Sequence, residues 1–512
     1  MPPTLFTPPY SLSRRRLLHG ASAAGLSLAA APSFGAQENA AQDWDIIIVG
    51  GGTAGIPAGI FAAQRNAKVL IIEASQQLGG TLFLSTGQMS AAGTQLQAAK
   101  GIADTPQMHF DDVMRISKKT ADPALVKLAV FNAAETFDWL TANGLQPLPE
   151  HPVLGLAHEP YSAKRYAWGE EGGISILDVI EPLALAEVNA GRLVIQRATR
   201  VRELLQRDGA VVGVRAEDEH GTMADFRAKS VLMTSGGYAM NPKVFYDLSG
   251  VKAYGAASYP YSQGDGHLMI LGVGGYTRGK ENYICGSPRV LAEATDPSPP
   301  YVRVSMYPER RPPWEIQVNV HGKRYVAEDN PSVDQRELAL VAQPDFRTWL
   351  IFDQAIFDAA PPVVDGWDRA RMAEEFNAHP MFKKAGTLAE LAALAGVDEA
   401  GLQATVARYN QAVASGKDSE FQRQHMPLPI AQAPFYSIRQ NGISVTSTVG
   451  VGVDDKLRVT RKDGRVIPGL YAAGEILGSG QLMGKSAVGG MMVTPALTFG
   501  RLLGQSMVPI KS

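Results

Sequence analysis

The apolar positions of this chain fall into short runs punctuated by glycine. Trp44–Val49 (WDIIIV) is a β-branched apolar run that stops at Gly50-Gly51-Gly52. Ala-rich sequence with helical spacing follows over 54–65, and a second apolar run over 68–72 closes on Glu73. Runs of this length predict strands, and the 3.6-residue spacing between them predicts a helix. The order is strand, glycine turn, helix, strand and terminal acid, which is how a dinucleotide-binding α/β unit opens. Strands are also predicted over 193–196, 211–216 and 230–234, and a helix over 126–143 that Gly144 stops.

The middle of the chain is less regular. Residues 287–313 are rich in proline and charge, including Pro297, Pro299, Pro300, Pro308, Pro312 and Pro313, which predicts a loop-heavy entry into a second domain. Helices are predicted over 333–341, 388–394 and 399–413, the last two joined at Gly396-Val397-Asp398. β-type sequence returns over 442–453, and 470–473 is another short strand. The pattern describes one α/β domain built from both ends of the chain and interrupted by a second domain.

Composition narrows the picture. With 512 residues, 45% hydrophobic and 19% charged, the chain supports two or three packed domains. A formal net charge of −2 gives no global field for nucleic acid or an anionic membrane. The one cysteine, Cys285, excludes an internal disulfide and a multi-cysteine metal site. The nine histidines are scattered, so no metal centre is expected, and without a C-x-x-C-H string no c-type haem is expected. The first 40 residues differ from the rest. SRRRLLHG from Ser13 precedes an Ala-rich apolar stretch over 17–31 and small residues at 33–36, the layout of a secretory signal. Adjacent arginines after a serine resemble the twin-arginine export signal, whose route carries folded proteins. At about 15 residues the apolar run falls short of the roughly 20 that span a bilayer. The expected place is the periplasm, reached after folding through the export machinery, with the leader removed.

The spacing Gly50-x-Gly52-x-x-Gly55 sits between strand and helix, where the dinucleotide fingerprint requires it. Gly50 allows the tight turn, Gly52 lets backbone approach a pyrophosphate, and Gly55 lets the helix pack closely on the sheet. The helix N-terminus offers free N–H groups to phosphate, and Glu73 is placed to accept from ribose hydroxyls. The segment LGGTLFLSTGQMSAAGT over 78–94 is rich in Gly, Ser and Thr, so its amides can lie against a large flat ligand; this favours FAD over NAD. Glycine turns beside predicted strands recur at TSGGY (234–238), QGDGH (263–267) and YAAGE (471–475).

These motifs, with VNVHGKRYVAED from Val318 and ATVARYNQAVASGKDSEF from Ala404, resemble the flavoprotein family of fumarate reductase, soluble flavocytochrome c, urocanate reductase and 3-ketosteroid dehydrogenases. The resemblance covers nearly everything from Asp45 to Gly504. It implies a discontinuous Rossmann-type FAD-binding domain with an inserted, mobile α+β capping domain. The expected spans are 1–40 for the leader, 43–286 and 425–512 for the FAD-binding domain, and 287–424 for the capping domain. By motif, Gly52, Ala54, Gly55, Glu73, Gly80 and Thr81 bind the ADP half of FAD. Asp265 and Glu475 reach the ribityl region, and Gly489, Gly490 and Met491 lie near the flavin ring. Gly50, Gly87, Gly236, Gly237 and Gly474 complete the cofactor-binding set. Some relatives attach FAD covalently through a histidine soon after the double glycine; residues 82–88 hold none, so noncovalent FAD is expected.

The resemblance also implies transfer of two hydrogens across a C–C bond beside an electron-withdrawing group, one as hydride to flavin N5 and one as a proton. The proton step needs a positioned acid or base, and a carbonyl needs donors for the developing enolate. In fumarate reductases an arginine, and in ketosteroid dehydrogenases a tyrosine, follows the glutamate of the N-E motif by four residues. Here the pair is Ala327-Glu328 and the residue four on is Ser332. Ser332, helped by Asp334 or Arg336, is one candidate for the proton step; a turn over 329–332 that caps the following helix is the equal alternative. Thr446-Ser447-Thr448-Val449-Gly450 lacks the carboxylate-gripping histidine, and no arginine precedes Gly489-Gly490, although Lys485 is near. The segment GKSAVGGMMVTPALTFGR from Gly484 is instead similar to the ketosteroid dehydrogenase C-terminus. By that match Gly490 donates its N–H to a ketone oxygen, and Ser486 stands where that group keeps a tyrosine. Tyr161, Tyr166, Tyr259, Tyr261 and Tyr283 are alternative donors whose commoner role is packing. His158 and Arg165 are candidate substrate contacts, with a surface or helix-end role the commoner reading for each. The leading expectation is FAD-dependent dehydrogenation of a cyclic or steroid-like ketone at its α,β bond, with a quinone or soluble carrier taking the electrons. One alternative is a periplasmic ene-reductase of the fumarate or urocanate type, fed by an external carrier, with Lys485 and Arg336 on a carboxylate. The other is a non-catalytic flavin-binding redox protein.

Overall fold

A computed structural model of the chain describes residues 44–508 except 156, 157, 256, 307 and 309. The expected export leader lies outside the described residues. Strands β1 (Trp44–Val49) and β2 (Val69–Ile72) run parallel, with Ile46 beside Val69 and Val49 beside Ile72. Leu193–Gln196 extends the sheet beyond β2, and Met223–Met233 pairs on the other side of β1. Val466–Ala472, from the far end of the chain, joins next in parallel, and Arg458–Thr460 closes that edge antiparallel. Every residue of β2 and all of β1 except Asp45 are buried. Strands covered on both faces read as continuous apolar runs, which is why neither alternates in the sequence.

Helix α1 (Gly55–Gln64) leaves the first glycine turn, and the C-terminal helix Val493–Ser506 packs against it. Glycine permits the close approach. A Cβ on Gly500 would stand 2.2 Å from the Ala54 carbonyl oxygen, and one on Gly504 would stand 2.6 Å from that of Ala58. The helix expected over 126–143 is two helices, Pro123–Phe131 and Ala133–Ala142. They break at Asn132, whose Nδ2 donates to the Leu128 oxygen at 2.8 Å and whose own oxygen accepts from the buried Arg501 at 3.2 Å. Side-chain bonds to the backbone here compete with helix continuation.

The insertion has its own antiparallel sheet, in the order Pro300–Val302, Gly286–Leu291, Phe435–Ile443, Arg347–Asp353, Ile316–Val318. Leu388–Ala395 and Glu399–Ser415 help enclose a separate core that includes Val290, Ile316, Leu350, Leu391, Leu402 and Ile438. Two of these strands form inside the proline-rich stretch that the sequence marks as loop. Phe435–Ile443 also belongs to this sheet, so the insertion runs to about residue 443 rather than 424. Buried Ser437, Gln440 and Asn441 interrupt that strand's apolar pattern and hide it. Among the described residues no helix is long and apolar enough to cross a membrane.

Candidate active site

The parallel strands end side by side, which brings Gly50 and Glu73 together. Gly50 has φ +106°, and a Cβ there would meet the Thr234 oxygen at 2.6 Å. At Gly55 a Cβ would meet the Gly50 oxygen at 2.0 Å. The protein's own packing demands both glycines. Gly52 differs, because a Cβ there would find nothing nearer than the Gly79 oxygen at 3.9 Å. Its face is open to an approaching ligand. Helix α1 starts beyond it with no side-chain cap and no acid in the first turn, so its amides and dipole face an anion unopposed. The Glu73 carboxylate accepts from Gly51 N at 2.7 Å and Ser75 N at 2.8 Å. Those bonds aim it at the turn and leave lone pairs for ligand hydroxyls. Gly79 N donates to the Gly51 oxygen at 2.8 Å, which brings Gly80 and Thr81 to the same turn.

The neighbouring strand ends extend this surface. Thr234 Oγ1 donates to the Gly50 oxygen at 2.7 Å and leads into Gly236, where a Cβ would meet open space. Gly237 is packed against Ser447 and Glu475, and Gly474 lies opposite Ala54. Glu475 accepts from Ser447 N at 3.0 Å. Burial raises its carboxyl above the usual range, against hydrogen bonds from Ser447 and Thr81. Gly87 rests on Gly172, where a Cβ would come within 2.3 Å. Asp265 opens the Asp265–Gly272 helix beside this surface, since Gly264 N donates to the Gly237 oxygen at 3.0 Å and a Cβ on Gly266 would meet Ser235; it is partly exposed and pairs with Arg200 at 3.1 Å. An open-faced glycine turn, an uncapped helix terminus and an acid ending the second strand fit the pyrophosphate and ribose of a dinucleotide.

The 484–491 turn lies where the C-terminal helix begins. Ser486 is 2% exposed, and its Oγ has no hydrogen-bond partner among the described residues. Gly490 has φ +78° and backs onto Ser90, where a Cβ would stand 2.4 Å from the amide nitrogen. Met491 is buried, and its N–H donates to the Val488 oxygen at 3.1 Å. The 158–168 segment covers the turn. Tyr161 OH donates to the Gly489 oxygen, and the Tyr166 ring lies against Gly489 while its OH donates to Gln88 at 2.6 Å. Burial pushes both phenols above their usual value. Arg165 is not on the surface as expected. Its side chain is buried between Asp104 and Asp112, 2.7 Å from each, and stands 5.0 Å from the Tyr161 ring centroid. Tyr259 lies by Ser75 near the nucleotide end, beside Tyr261, and Tyr283 stacks on Phe346.

The Val333–Val341 helix of the insertion meets this turn. Ser332 is its N-cap, accepting from Gln335 N at 3.2 Å. Asp334 reaches across instead. Its Oδ1 accepts from Ala487 N at 3.2 Å, its Oδ2 from Glu159 N at 2.9 Å, and Oδ1 lies 3.4 Å from His158 Nδ1. At that distance the His158 contact is a long charge pair. One helical turn on, Glu337 accepts from Ser287 Oγ at 2.5 Å. Burial lowers the His158 pKa, but Asp334 and Glu337 outweigh it and hold the ring above the ordinary imidazole value. Burial opposes ionisation of Asp334 too, yet His158 and the two amides keep it below the usual carboxylate range. Burial raises Glu337. The sequence offers Asp334 and His158 separately but not their pairing, because nothing local links positions so far apart in the chain. Arg336 donates to the Met306 oxygen, and Lys485 is exposed. Glu328 is buried between Arg324 at 2.6 Å and Arg423 at 3.1 Å, fixed inside the insertion.

Residues 45–490 match the FAD binding domain family. Over 463 residues the chain is 30% identical to a fumarate reductase (cytochrome) of Shewanella frigidimarina, covering 90% of this chain and 76% of that one. The open conformation of a flavocytochrome c3 fumarate reductase is similar at a TM-score of 0.67 and 26% identity, over 91% of this chain and 78% of that one. A 3-ketosteroid delta1-dehydrogenase from Sterolibacterium denitrificans shares the fold at a TM-score of 0.67 and 19% identity, over 90% and 98%. Fold and site together define an FAD-dependent oxidoreductase. The chain belongs to the FAD-binding family that contains these fumarate reductases and 3-ketosteroid dehydrogenases, enzymes that act on CH–CH or C=C bonds.

Proposed function

We propose that the protein dehydrogenates a cyclic or steroid-like ketone at its α,β bond, in the periplasm, using noncovalent FAD. The observation that carries this reading is Ser486, buried on the same turn as Gly490 with a hydroxyl that has no hydrogen-bond partner among the described residues. A hydroxyl and a backbone amide are the neutral donors that a ketone oxygen needs as it gains enolate charge. The 446–450 and 486–490 segments carry no cationic side chain, and Lys485 is exposed. FAD, when bound, accepts the β hydrogen as hydride. An external quinone or soluble carrier then takes the electrons. Anaerobic stopped-flow absorbance tests this: saturated cyclic ketones bleach the flavin band of oxidised enzyme. Ser486→Ala slows bleaching by about 10²–10³-fold, the usual loss for one oxyanion donor, without changing FAD content. Failure of every cyclic ketone, with rapid reoxidation of dithionite-reduced enzyme by an unsaturated acid, would overturn the reading.

A second reading, reduction of an unsaturated carboxylate, is favoured by Arg303. It is half-buried near Glu337, and burial together with nearby Arg289 and Arg310 lowers its pKa to about 10. Glu337 and Asp365 oppose that shift, and a carboxylate substrate would add to them against Arg289 and Arg310. Reoxidation by unsaturated acids that Arg303→Gln slows would establish this second reading.

A further inference from the structure

We propose that His158 exchanges the substrate's α proton, with Asp334 as its positioning residue. The inference rests on the ketone reading. Three elements converge here. The 158–168 segment lies on the 484–491 turn through Tyr161 and Tyr166. The Val333–Val341 helix supplies Asp334, which accepts from Ala487 N one residue after Ser486. Asp334 also accepts from Glu159 N and stands 3.4 Å from His158 Nδ1, so two amides fix the carboxylate that the ring faces. That arrangement leaves Nε2 as the nitrogen that carries the exchanged proton. The His158 side chain is 33% exposed, which gives the proton a way to water.

The other candidates at this junction are committed elsewhere. Ser332 caps its own helix, Arg336 holds the Met306 oxygen, and Tyr161 holds the Gly489 oxygen. The charged groups around His158 are Asp334 and Glu337 on the insertion helix, Arg303 on the insertion, and the Glu159–Arg115 pair beside it. A ring nitrogen of His158 and oxygens of Asp334 and Glu337 lie within 4.8 Å of one another. Two carboxyls beside one imidazole make the ring a stronger base than free imidazole.

The α C–H bond breaks, its proton goes to His158 Nε2, and its electron pair forms the enolate, whose oxygen lies against Ser486 and Gly490. With FAD bound, the β hydrogen would leave with its electron pair as hydride to the cofactor, which would take up the two electrons as the conjugated double bond forms. The imidazolium returns its proton to water.

Wild type, His158→Gln and Asp334→Asn, each FAD-loaded, would be compared in three measurements. These are flavin bleaching by a saturated cyclic ketone across pH, loss of deuterium from the α-deuterated ketone, and NMR titration of His158 without substrate. His158→Gln should slow both reactions by about 10²–10⁴-fold, the range for one general acid or base, and should abolish the pH-dependent limb. Its FAD content and its reduction by dithionite should match wild type. Asp334→Asn should move the His158 titration and the kinetic limb together to lower pH. A His158→Gln rate and pH limb equal to wild type would overturn the inference and leave the ketone reading standing. So would an unmoved His158 titration in Asp334→Asn. Wild type that no ketone bleaches would overturn the ketone reading itself. The same variants would then be compared in reoxidation of dithionite-reduced enzyme by enones and unsaturated acids, where an unimpaired His158→Gln would overturn the proton assignment as well.

Discussion

Gly52 and Gly55 stand three residues apart and are glycine for different reasons. At Gly55 a Cβ would collide with the Gly50 oxygen at 2.0 Å, whereas at Gly52 nothing lies within 3.9 Å. Gly55→Ala should therefore destabilise the protein by roughly 1–3 kcal/mol, the usual cost of overpacking. Gly52→Ala should leave the melting temperature of FAD-free protein unchanged and raise the FAD Kd by about tenfold, about 1.4 kcal/mol. Thermal melts of FAD-free protein and fluorescence titration with FAD separate the two effects. Arg165 makes the opposite case, a residue whose role depends on distant partners. Arg165→Met would leave Asp104 and Asp112 without their shared buried cation. That should cost about 3–5 kcal/mol in denaturant unfolding, and lower activity by loosening Tyr161 and Tyr166 over Gly489. The glycine turn and Glu73 are legible in the sequence because their geometry is local. Arg165 and His158 are not, because burial and ion pairing with remote residues decide what they do.

Elements were legible in proportion to how far their own pattern determines them. β1, α1 and β2 carry apolar runs and glycine punctuation that tertiary contacts only reinforce. The break at Asn132 depends on Arg501 from the far end of the chain, and the Phe435–Ile443 strand is masked by its buried polar residues. No periodicity within either segment shows these facts. The contact between α1 and Val493–Ser506 has a sequence trace that is easily overlooked, Gly500 and Gly504 one turn apart. Gly500→Leu should push the C-terminal helix away from Ala54, at the end of the turn that faces FAD. The expected outcome is a lower melting temperature together with weaker FAD binding, because the displaced backbone is Ala54 itself. Unchanged FAD affinity in a destabilised Gly500→Leu protein would show that the helix pair supports the fold without shaping the turn.

At the scale of the whole molecule, Asp334 joins the insertion to the FAD-binding domain through Ala487 N, Glu159 N and His158. Its pH dependence follows from the directions of three shifts. The His158 pKa is raised in the folded protein, so its contribution is complete below the ordinary imidazole value near 6.5 and is lost as pH rises through the folded value. The Asp334 pKa is lowered, so its contribution is complete above the ordinary carboxylate value near 3.9 and is lost as pH falls through the folded value. The Glu337 pKa is raised, so its ionisation adds a cost that grows with rising pH, the same sign as His158. The junction should therefore be tightest between roughly pH 4 and 6.5 and should loosen on the alkaline side. Hydrogen–deuterium exchange of the Val333–Val341 helix and the 484–491 turn, corrected for intrinsic rates, should be slowest in that window and faster at higher pH. Asp334→Asn should flatten the dependence, because the carboxamide carries no charge for His158 to meet. A pH-independent exchange profile in wild type would mean that the two amide bonds alone hold the insertion in place, and that the His158 charge contributes to chemistry rather than to closure.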